Sequence, residues 1–223
     1  MREIDHKITH RAVENYLYAM LPERPAVLAE IEQRADEEDI PIVGPSVGRL
    51  LYQHARLIQA KTVFELGSAV GYSSIWWAMA VGENGIVHYT DGSRKNADEA
   101  REYFERAGVA DRIQIHSGDA LEMLSERKEQ FDILFCDIDK NDYPRAALMA
   151  PARVRRGGLF IADNTLWRGQ VAFAAGNPDL VPESEPDRKL SAIVEFNRLM
   201  YESTDWFTTI VPLRDGVTVA VRL

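Results

Sequence analysis

Short apolar runs alternate with helical patterns through the middle of the chain. Each apolar run has the length and the β-rich composition expected of a strand that is buried on both faces. These runs occupy residues 62–66, 86–90, 112–117, 131–137 and 158–163. Apolar positions at helical spacing lie between them, over residues 73–81, 95–107, 120–127 and 144–155. The alternation predicts right-handed βαβ units and a doubly wound, mostly parallel α/β sheet.

The N-terminal part of the chain has a helical pattern without strands. Residues 11–35 predict two short amphipathic helices that are interrupted near Pro22 and Pro25, and a further helix is predicted over residues 46–59. We expect residues 1–45 to form a helical cap that packs on the body of the domain or on another subunit.

The C-terminal part predicts a helix followed by a hairpin. The helix covers residues 187–202, and the strand-like runs at 206–213 and 217–223 flank an Arg-Asp-Gly turn signal. Residues 164–187 show no clear period, and structureless loops of this length are usually lids or binding loops, so a substrate loop is predicted there. The 223 residues therefore predict one domain with seven strands, the last two antiparallel to each other.

Composition and charge narrow the classes of function. An apolar fraction of 46% and a charged fraction of 27% are typical of a globular domain with a substantial core. No run approaches the ~18 apolar residues of a membrane span, and the N-terminus has no apolar signal-peptide core. The single cysteine, Cys136, predicts a core thiol and a cytoplasmic location. A formal net charge of −9 disfavours nucleic acid as a partner.

A glycine-containing loop follows the first strand of the alternating region. The spacing from Gly67 to Gly71 permits a tight turn, but it lacks the dinucleotide fingerprint that nicotinamide dehydrogenases carry. Asp91 ends the second strand, where an acid can accept hydrogen bonds from ribose hydroxyls. Together these features predict an adenosine-type ligand. The alternative is a plain turn in which Asp91 caps a helix.

The chemistry of this end of the sheet favours S-adenosylmethionine. The loop is acidic and has no cluster of lysine and arginine, which suits a ligand without phosphates. Glu65 and Asp137 are candidates for binding the α-ammonium group of this ligand through charge-assisted hydrogen bonds.

Three oxygen-bearing side chains are predicted to meet at neighbouring strand ends. Asp137 ends the fourth strand and Asp163-Asn164 ends the fifth, and neighbouring strands lie ~5 Å apart. Oxygen ligands select hard cations such as Mg²⁺. Three protein ligands out of about six leave positions for two adjacent substrate oxygens and a water, which fits a vicinal diol. The alternative is a set of strand-end carboxylates that only cap helices.

Lys140 is a candidate general base. It lies just after Asp137 and near the expected sulfonium, where a neighbouring cation and partial burial favour the neutral amine that can accept a phenolic proton. The alternative is a solvated surface lysine. Trp167 either lines an acceptor pocket or packs in the core. The histidines are scattered and are predicted not to be ligands; they lie at positions 6, 10, 54, 88 and 116.

These motifs resemble the cation-dependent catechol and caffeoyl-coenzyme A O-methyltransferases. The resemblance runs from about residue 40 to the C-terminus. Its most specific segments are FELGSAVGYSS, FDILFCDIDKNDY, GGLFIADNTLWRGQV and the final RDG. It implies a Rossmann-like class I methyltransferase fold with seven strands, a dimer formed through the N-terminal helices, and a catechol-type small molecule as the methyl acceptor.

The resemblance also implies roles for individual residues. Asp137, Asp163 and Asn164 would bind Mg²⁺ or a similar divalent cation. Lys140 would act as general base beside the catalytic Asp137. Contacts with S-adenosylmethionine are implied for Val43, Glu65, Gly67, Ser73, Asp91, Gly92, Ala120 and Asp137.

The sequence departs from the pattern of this family on the acceptor side. The animal catechol enzyme carries a carboxylate late in the penultimate strand, but residues 207–213 contain no Asp or Glu. Residues 172–187 match no family consensus, so the natural acceptor and the hydroxyl that is methylated stay open. Two other hypotheses stay open as well: a methyltransferase that acts on RNA or protein, and a non-catalytic protein that binds S-adenosylmethionine.

Overall fold

Seven β-strands form one sheet at the centre of the molecule. The computed structural model describes residues 8–176 and 188–223, to which every structural statement below refers. The strands are β1 Thr62–Leu66, β2 Ile86–Asp91, β3 Ile113–Ser117, β4 Phe131–Cys136, β5 Val154–Ala162, β6 Trp206–Val211 and β7 Val217–Arg222. Their spatial order is β3-β2-β1-β4-β5-β7-β6. The first five strands are parallel and β7 pairs antiparallel with β5 and β6, so the predicted sheet is confirmed.

Helices connect the strands and cover the sheet. They are α1 Arg11–Ala19, α2 Ala26–Glu38, α3 Gly44–Leu57, α4 Tyr72–Val81, α5 Arg94–Arg106, α6 Ala120–Glu126, α7 Tyr143–Arg153, α8 Gln170–Gly176 and α9 Arg188–Glu202. The Ser93 and Asp119 side chains cap α5 and α6 by accepting hydrogen bonds from backbone N–H groups of the first turn. In the described part of the chain, no helix is long and apolar enough to cross a membrane.

Both faces of the central strands are buried, as their apolar sequences predict, whereas the edge strands β3 and β6 are partly exposed. Along β1, Val63 packs in one core cluster, whereas its neighbour Phe64 packs in a second cluster. Ile133 and Leu134 of β4 divide between the same two clusters, because successive side chains of a strand point to opposite faces. Cys136 is fully buried, and burial raises the pKa of its thiol to about 12, which fits the predicted core role.

Two elements begin two or more residues earlier than the sequence predicts. α3 begins at Gly44 instead of residue 46, because Pro45 occupies the first turn of the helix instead of a loop. β5 begins at Val154 instead of residue 158, and Val154 pairs with Phe131 before the register between β4 and β5 shifts. The apolar pattern does not reveal this early pairing, since the shift interrupts it.

Part of the predicted structureless segment 164–187 is regular. Residues Trp167–Gly169 form a 3₁₀ turn, and α8 follows directly at Gln170–Gly176. The remainder of the predicted substrate loop, residues 177–187, lies outside the described residues.

Two neighbouring strands carry a stacked pair of histidines. The rings of His88 and His116 have centroids 5.4 Å apart, and His88 Nδ1 lies 3.1 Å from His116 Nε2. One imidazole donates and the other accepts in such a hydrogen bond, so the pair fits two neutral rings. Burial lowers the pKa of His88 to about 4 and also lowers the pKa of His116, and the charge of Arg127 acts in the same direction on both.

We expect this pair to make the fold sensitive to mild acid. Because the pKa of His88 is lower in the folded protein than its unfolded value of about 6.5, the unfolded state binds more protons, and stability falls as the pH drops from 6.5 towards 4. Between pH 7.5 and pH 5 the loss from this residue is about 2 kcal/mol. In urea unfolding, His88→Leu should remove this part of the pH dependence and His54→Gln should keep it. Equal pH dependence in wild type and His88→Leu would contradict the account.

Candidate active site

The carboxyl ends of β1 and β4 frame a crevice. The chain continues from β1 towards β2 on one side and from β4 towards β5 on the other, and ligands of open α/β sheets bind at such a reversal. A cavity of about 460 Å³ lies there. It brings together most of the predicted site residues: Val43, Gly67, Ser73, Asp91, Asp137, Lys140, Asp163 and Asn164.

Gly67 lets the loop after β1 lie against the end of β4. Its φ is +78°, and a Cβ atom at this position would be 2.6 Å from the Asp137 carbonyl oxygen. A side chain does not fit there, and only glycine adopts this conformation readily. Asp91 fixes the same loop, because its Oδ2 accepts a hydrogen bond from the Ala69 N–H at 3.0 Å.

Asp91 lies where the crevice meets a second cavity, of about 340 Å³, which Gly92 and Ala120 line. Its Oδ1 accepts hydrogen bonds from the Ser93 N–H at 2.8 Å and from the Asn96 amide at 3.1 Å. The N-cap residue of α5 is Ser93 and not Asp91, and the contact of Asp91 with an adenosine-type ligand stays a prediction. The Asp91 carboxylate is thus held in one orientation at the junction of the two cavities.

Glu65 lies behind the loop and does not line the crevice. Its side chain is fully buried, and its Oε2 accepts hydrogen bonds from the hydroxyls of Ser68, at 2.8 Å, and of Ser74. Burial raises the pKa of Glu65 to about 7, and Oε1 has no hydrogen-bond partner within the described ranges. Direct binding of the cofactor ammonium by Glu65 therefore stays a prediction.

Asp137 and Asp163 lie side by side at the ends of β4 and β5. The sheet ladder extends one residue past each strand: the Asp137 N–H donates to the Leu66 carbonyl at 2.8 Å, and the Asp163 N–H donates to the Cys136 carbonyl at 3.1 Å. Burial raises the pKa of both carboxyls, and the charge of Asp137 raises the pKa of Asp163 further. Two acids in this arrangement need a nearby cation to be ionised together.

Asn164 adds an amide side chain beside these acids. Its φ is +57°, a left-handed conformation that asparagine tolerates, and its Nδ2 lies 3.3 Å from Asp163 Oδ2. Among the residues that the structure describes, no group of three or more His, Cys, Asp or Glu side chains could hold a metal ion. The predicted set is different in kind: two carboxylates and an amide. All three are oxygen ligands suited to a hard cation, and Asp163 Oδ1 is buried without a described hydrogen-bond partner.

Lys140 is buried beside the acids. It is 8% exposed, and its Nζ donates to Asp137 Oδ1 at 2.7 Å, to Tyr143 Oη at 2.7 Å and to the Ile138 carbonyl at 3.3 Å. Tyr143 in turn donates to the Asp163 carbonyl at 3.0 Å. The alternative of a solvated surface lysine is therefore wrong, and a side chain able to carry a proton lies within the crevice.

Two residues of the site escape sequence reasoning. Asp215, between β6 and β7, accepts a hydrogen bond from the Arg168 N–H through Oδ1, and its Oδ2 lies 3.5 Å from Asn164 Nδ2. Lys189 of α9 forms a 2.7 Å ion pair with Asp139, which lowers the pKa of Asp139. The Arg-Asp-Gly motif is a signal for Asp215: it predicts a turn and belongs to the family resemblance, but neither assigns a role to the acid. Nothing in the sequence marks Lys189.

A further cavity of about 580 Å³ adjoins the crevice on the side of α1. Asn164, Arg168 and Asp215 line both cavities. Trp167 packs against a small apolar cluster beside α8 and α9 and also lines the crevice, and its role in an acceptor pocket stays a prediction. The arrangement leaves space next to the predicted cation ligands for a small second substrate.

Three features define a class I methyltransferase fold with a nucleoside-type site: the strand order, the glycine loop after β1 and the acid at the end of β2. The two oxygen-rich ends of β4 and β5 lie beside this site.

The chain belongs to the O-methyltransferase family, whose family model matches residues 22–223. It is 31% identical to a catechol O-methyltransferase of Niastella koreensis, over 94% of this chain and 96% of the relative. It is also 31% identical to a caffeoyl-CoA O-methyltransferase of Populus kitakamiensis, over 95% of this chain and 94% of the relative.

A solved structure gives the same result. The O-methyltransferase from Bacillus cereus in complex with SAH matches with a TM-score of 0.81 and 29% identity, over 95% of this chain and 97% of that chain. The predicted fold and the predicted class of enzyme, an S-adenosylmethionine-dependent O-methyltransferase, are therefore confirmed.

We expect Asp163→Asn to stabilise the cation-free fold. Burial and the charge of Asp137 raise the pKa of Asp163, so its ionised form is less stable in the folded protein than in water, and a neutral amide removes this penalty. In EDTA at pH 8 the variant should melt above the wild type, by the equivalent of about 1 kcal/mol. Asp98→Asn changes an exposed acid of α5 and should alter the Tm little. A lower Tm for Asp163→Asn would show that the carboxylate is not under this strain.

Proposed function

We propose that this protein transfers a methyl group from S-adenosylmethionine to one hydroxyl of a catechol-type small molecule, with a divalent cation such as Mg²⁺ held by Asp137, Asp163 and Asn164. The proposal depends above all on one observation: two acids at adjacent strand ends, one with a buried oxygen that has no described hydrogen-bond partner. Relatives named as catechol and caffeoyl-CoA O-methyltransferases support an acceptor of this class.

The cavity at Gly92 and Ala120 supports S-adenosylmethionine as the methyl donor. Several acids line it, and no lysine or arginine of the described residues does. Such a lining suits the uncharged adenosine part of this ligand better than it suits phosphates. Asp91 at the mouth of this cavity is the candidate partner of the ribose hydroxyls, and Asp137 is the candidate partner of the ammonium group.

The chain's own residues suggest how the reaction would proceed. A bound divalent cation would act as a Lewis acid that makes a catechol hydroxyl easier to ionise. Lys140 Nζ, in its neutral amine form, is the group assigned to take the hydroxyl proton. It lies 2.7 Å from Asp137 Oδ1 and 2.7 Å from Tyr143 Oη, which place it beside the cation ligands. The ionised acceptor oxygen would then attack the sulfonium methyl, so that the C–O bond forms as the C–S bond breaks and S-adenosylhomocysteine leaves. The positive sulfonium and the negative oxygen both lose their charge in this step, so a site from which water is excluded favours it. Lys140 and Asp163 are buried, which limits the access of water to the reacting groups.

Single substitutions at the acids and at Lys140 test this assignment. Asp137→Ala and Asp163→Ala should each lower kcat/KM by more than the roughly 10–100-fold that loss of an outer-shell partner costs a metal site. Lys140→Met should lower kcat by about 10²–10⁴-fold, since a positioned general base contributes that much. Lys128→Met and Asp98→Asn change exposed residues and should keep wild-type turnover.

The assay compares caffeic acid with its monohydroxy analogue p-coumaric acid, each in EDTA and in Mg²⁺. Methylated product is expected only from the vicinal diol and only with the cation. Near wild-type turnover in metal-depleted buffer would contradict the cation site. Methylation of RNA or protein without product from any diol would favour the alternative acceptor class.

We further propose that the protein is a homodimer formed through α1. No residue of this helix is buried; Tyr16 in the helix is 63% exposed, and Met20, which follows directly at its C-terminal end, is 64% exposed. Apolar side chains concentrated on one short helix indicate a surface that a partner covers.

Charged substitutions on α1 test the dimer. Tyr16→Glu and Met20→Glu should convert the dimer to a monomer in sedimentation velocity, because a carboxylate in an apolar contact loses its hydration. Leu148→Glu on α7 replaces a side chain that is 70% exposed and should leave the dimer intact. A monomeric wild type would refute this proposal.

A further inference from the structure

Arg214 connects the C-terminal turn to the segment that precedes α3. It lies between β6 and β7, and its guanidinium reaches the backbone on the other side of the crevice. Its Nη1 donates to the Ile42 carbonyl at 2.9 Å and also to the Val43 carbonyl. These contacts join residues 172 and 171 positions apart in the sequence, so no local propensity produces them.

Ile42 and Val43 line the crevice together with Gly67 and Asp137. Val43 is 2% exposed, so its position is fixed by packing on one side and by the Arg214 contact on the other. Arg214 does not line the crevice itself but the adjoining cavity on the side of α1. It therefore acts on the cofactor side of the site through the backbone of residues 42 and 43.

The backbone on both sides of the contact is unusual. Arg214 has a φ of +49°, a conformation that glycine adopts more readily than arginine. Gly44 has a φ of +71°, and a Cβ atom there would lie 3.0 Å from Arg214 Nη1. Because Gly44 has no side chain, the guanidinium has room beside it. Arg214, by contrast, holds its side chain on a strained backbone conformation.

We propose that Arg214 is a positioning residue for the cofactor, which holds the Ile42 and Val43 carbonyls and thereby fixes the surface that Val43 presents to S-adenosylmethionine. The inference rests on the proposed function, because it requires that the crevice bind this cofactor. A guanidinium suits the task, since its planar fork donates several hydrogen bonds in a fixed geometry and its charge strengthens them. A lysine keeps the charge but lacks the fork.

The affinity for S-adenosylhomocysteine, measured by calorimetry in EDTA, tests this role without the cation. R214G and R214Q should each raise the Kd roughly tenfold, as expected for the loss of one or two charge-assisted hydrogen bonds, and R214K should lie between them and the wild type. The Tm of R214G should stay within a few degrees of the wild type, because relief of the strained backbone at position 214 offsets part of the lost hydrogen bonding. In turnover, KM for S-adenosylmethionine should rise while kcat at saturation stays within about twofold.

Amide hydrogen exchange supplies a second readout. Peptides that cover residues 40–47 should exchange faster in R214G than in the wild type, whereas R101Q, which changes an exposed arginine of α5, should alter neither exchange nor Kd. Wild-type Kd values in both R214G and R214Q would overturn the inference, as would an equal loss of affinity in R101Q. A wild type that does not bind S-adenosylhomocysteine at all would refute the proposed function instead.

Discussion

The backbone ladder that continues past the ends of β1, β4 and β5 places two carboxylates next to each other. Because the N–H groups of Asp137 and Asp163 complete this ladder, neither acid can move away without loss of sheet hydrogen bonds. Burial raises the pKa of both carboxyls, the charge of Asp137 raises the pKa of Asp163 further, and the positive charges of Lys140 and Arg214 act in the opposite direction. A site built in this way attracts cations, which is the property that the proposed chemistry needs.

The surrounding segments keep this arrangement at the expense of backbone strain. Asn164, Trp167 and Arg168 all have positive φ values, although none is glycine. The turn after β6 holds this segment: the Thr165 N–H donates to the Gly216 carbonyl and the Leu166 N–H donates to the Asp215 carbonyl, each at 2.9 Å. Strained backbone persists where surrounding contacts over-determine it, and it concentrates at functional sites. The C-terminal hairpin therefore supports the site as well as the edge of the sheet.

The sequence predicts the parts of the site that depend on local pattern. Apolar runs end at Asp137 and Asp163, and parallel strands bring such ends together, so the acids could be placed without coordinates. The contacts of Arg214 and Asp215 cannot be predicted in this way. They depend on the position of β7 between β5 and β6, which the hairpin signal does not specify. The position of Glu65 behind the loop cannot be predicted from the sequence either, because the hydrogen bonds that it accepts from Ser68 and Ser74 determine it.

The central claim is that the ends of β4 and β5 bind a divalent cation. Crystals soaked in Mn²⁺ test it most directly, because the anomalous signal locates this ion independently of any model of the site. The account predicts one strong peak about 2.1–2.3 Å from oxygens of Asp137, Asp163 and Asn164, which Mg²⁺ in excess displaces. No peak at these three residues, with S-adenosylhomocysteine clearly bound beside them, would contradict it.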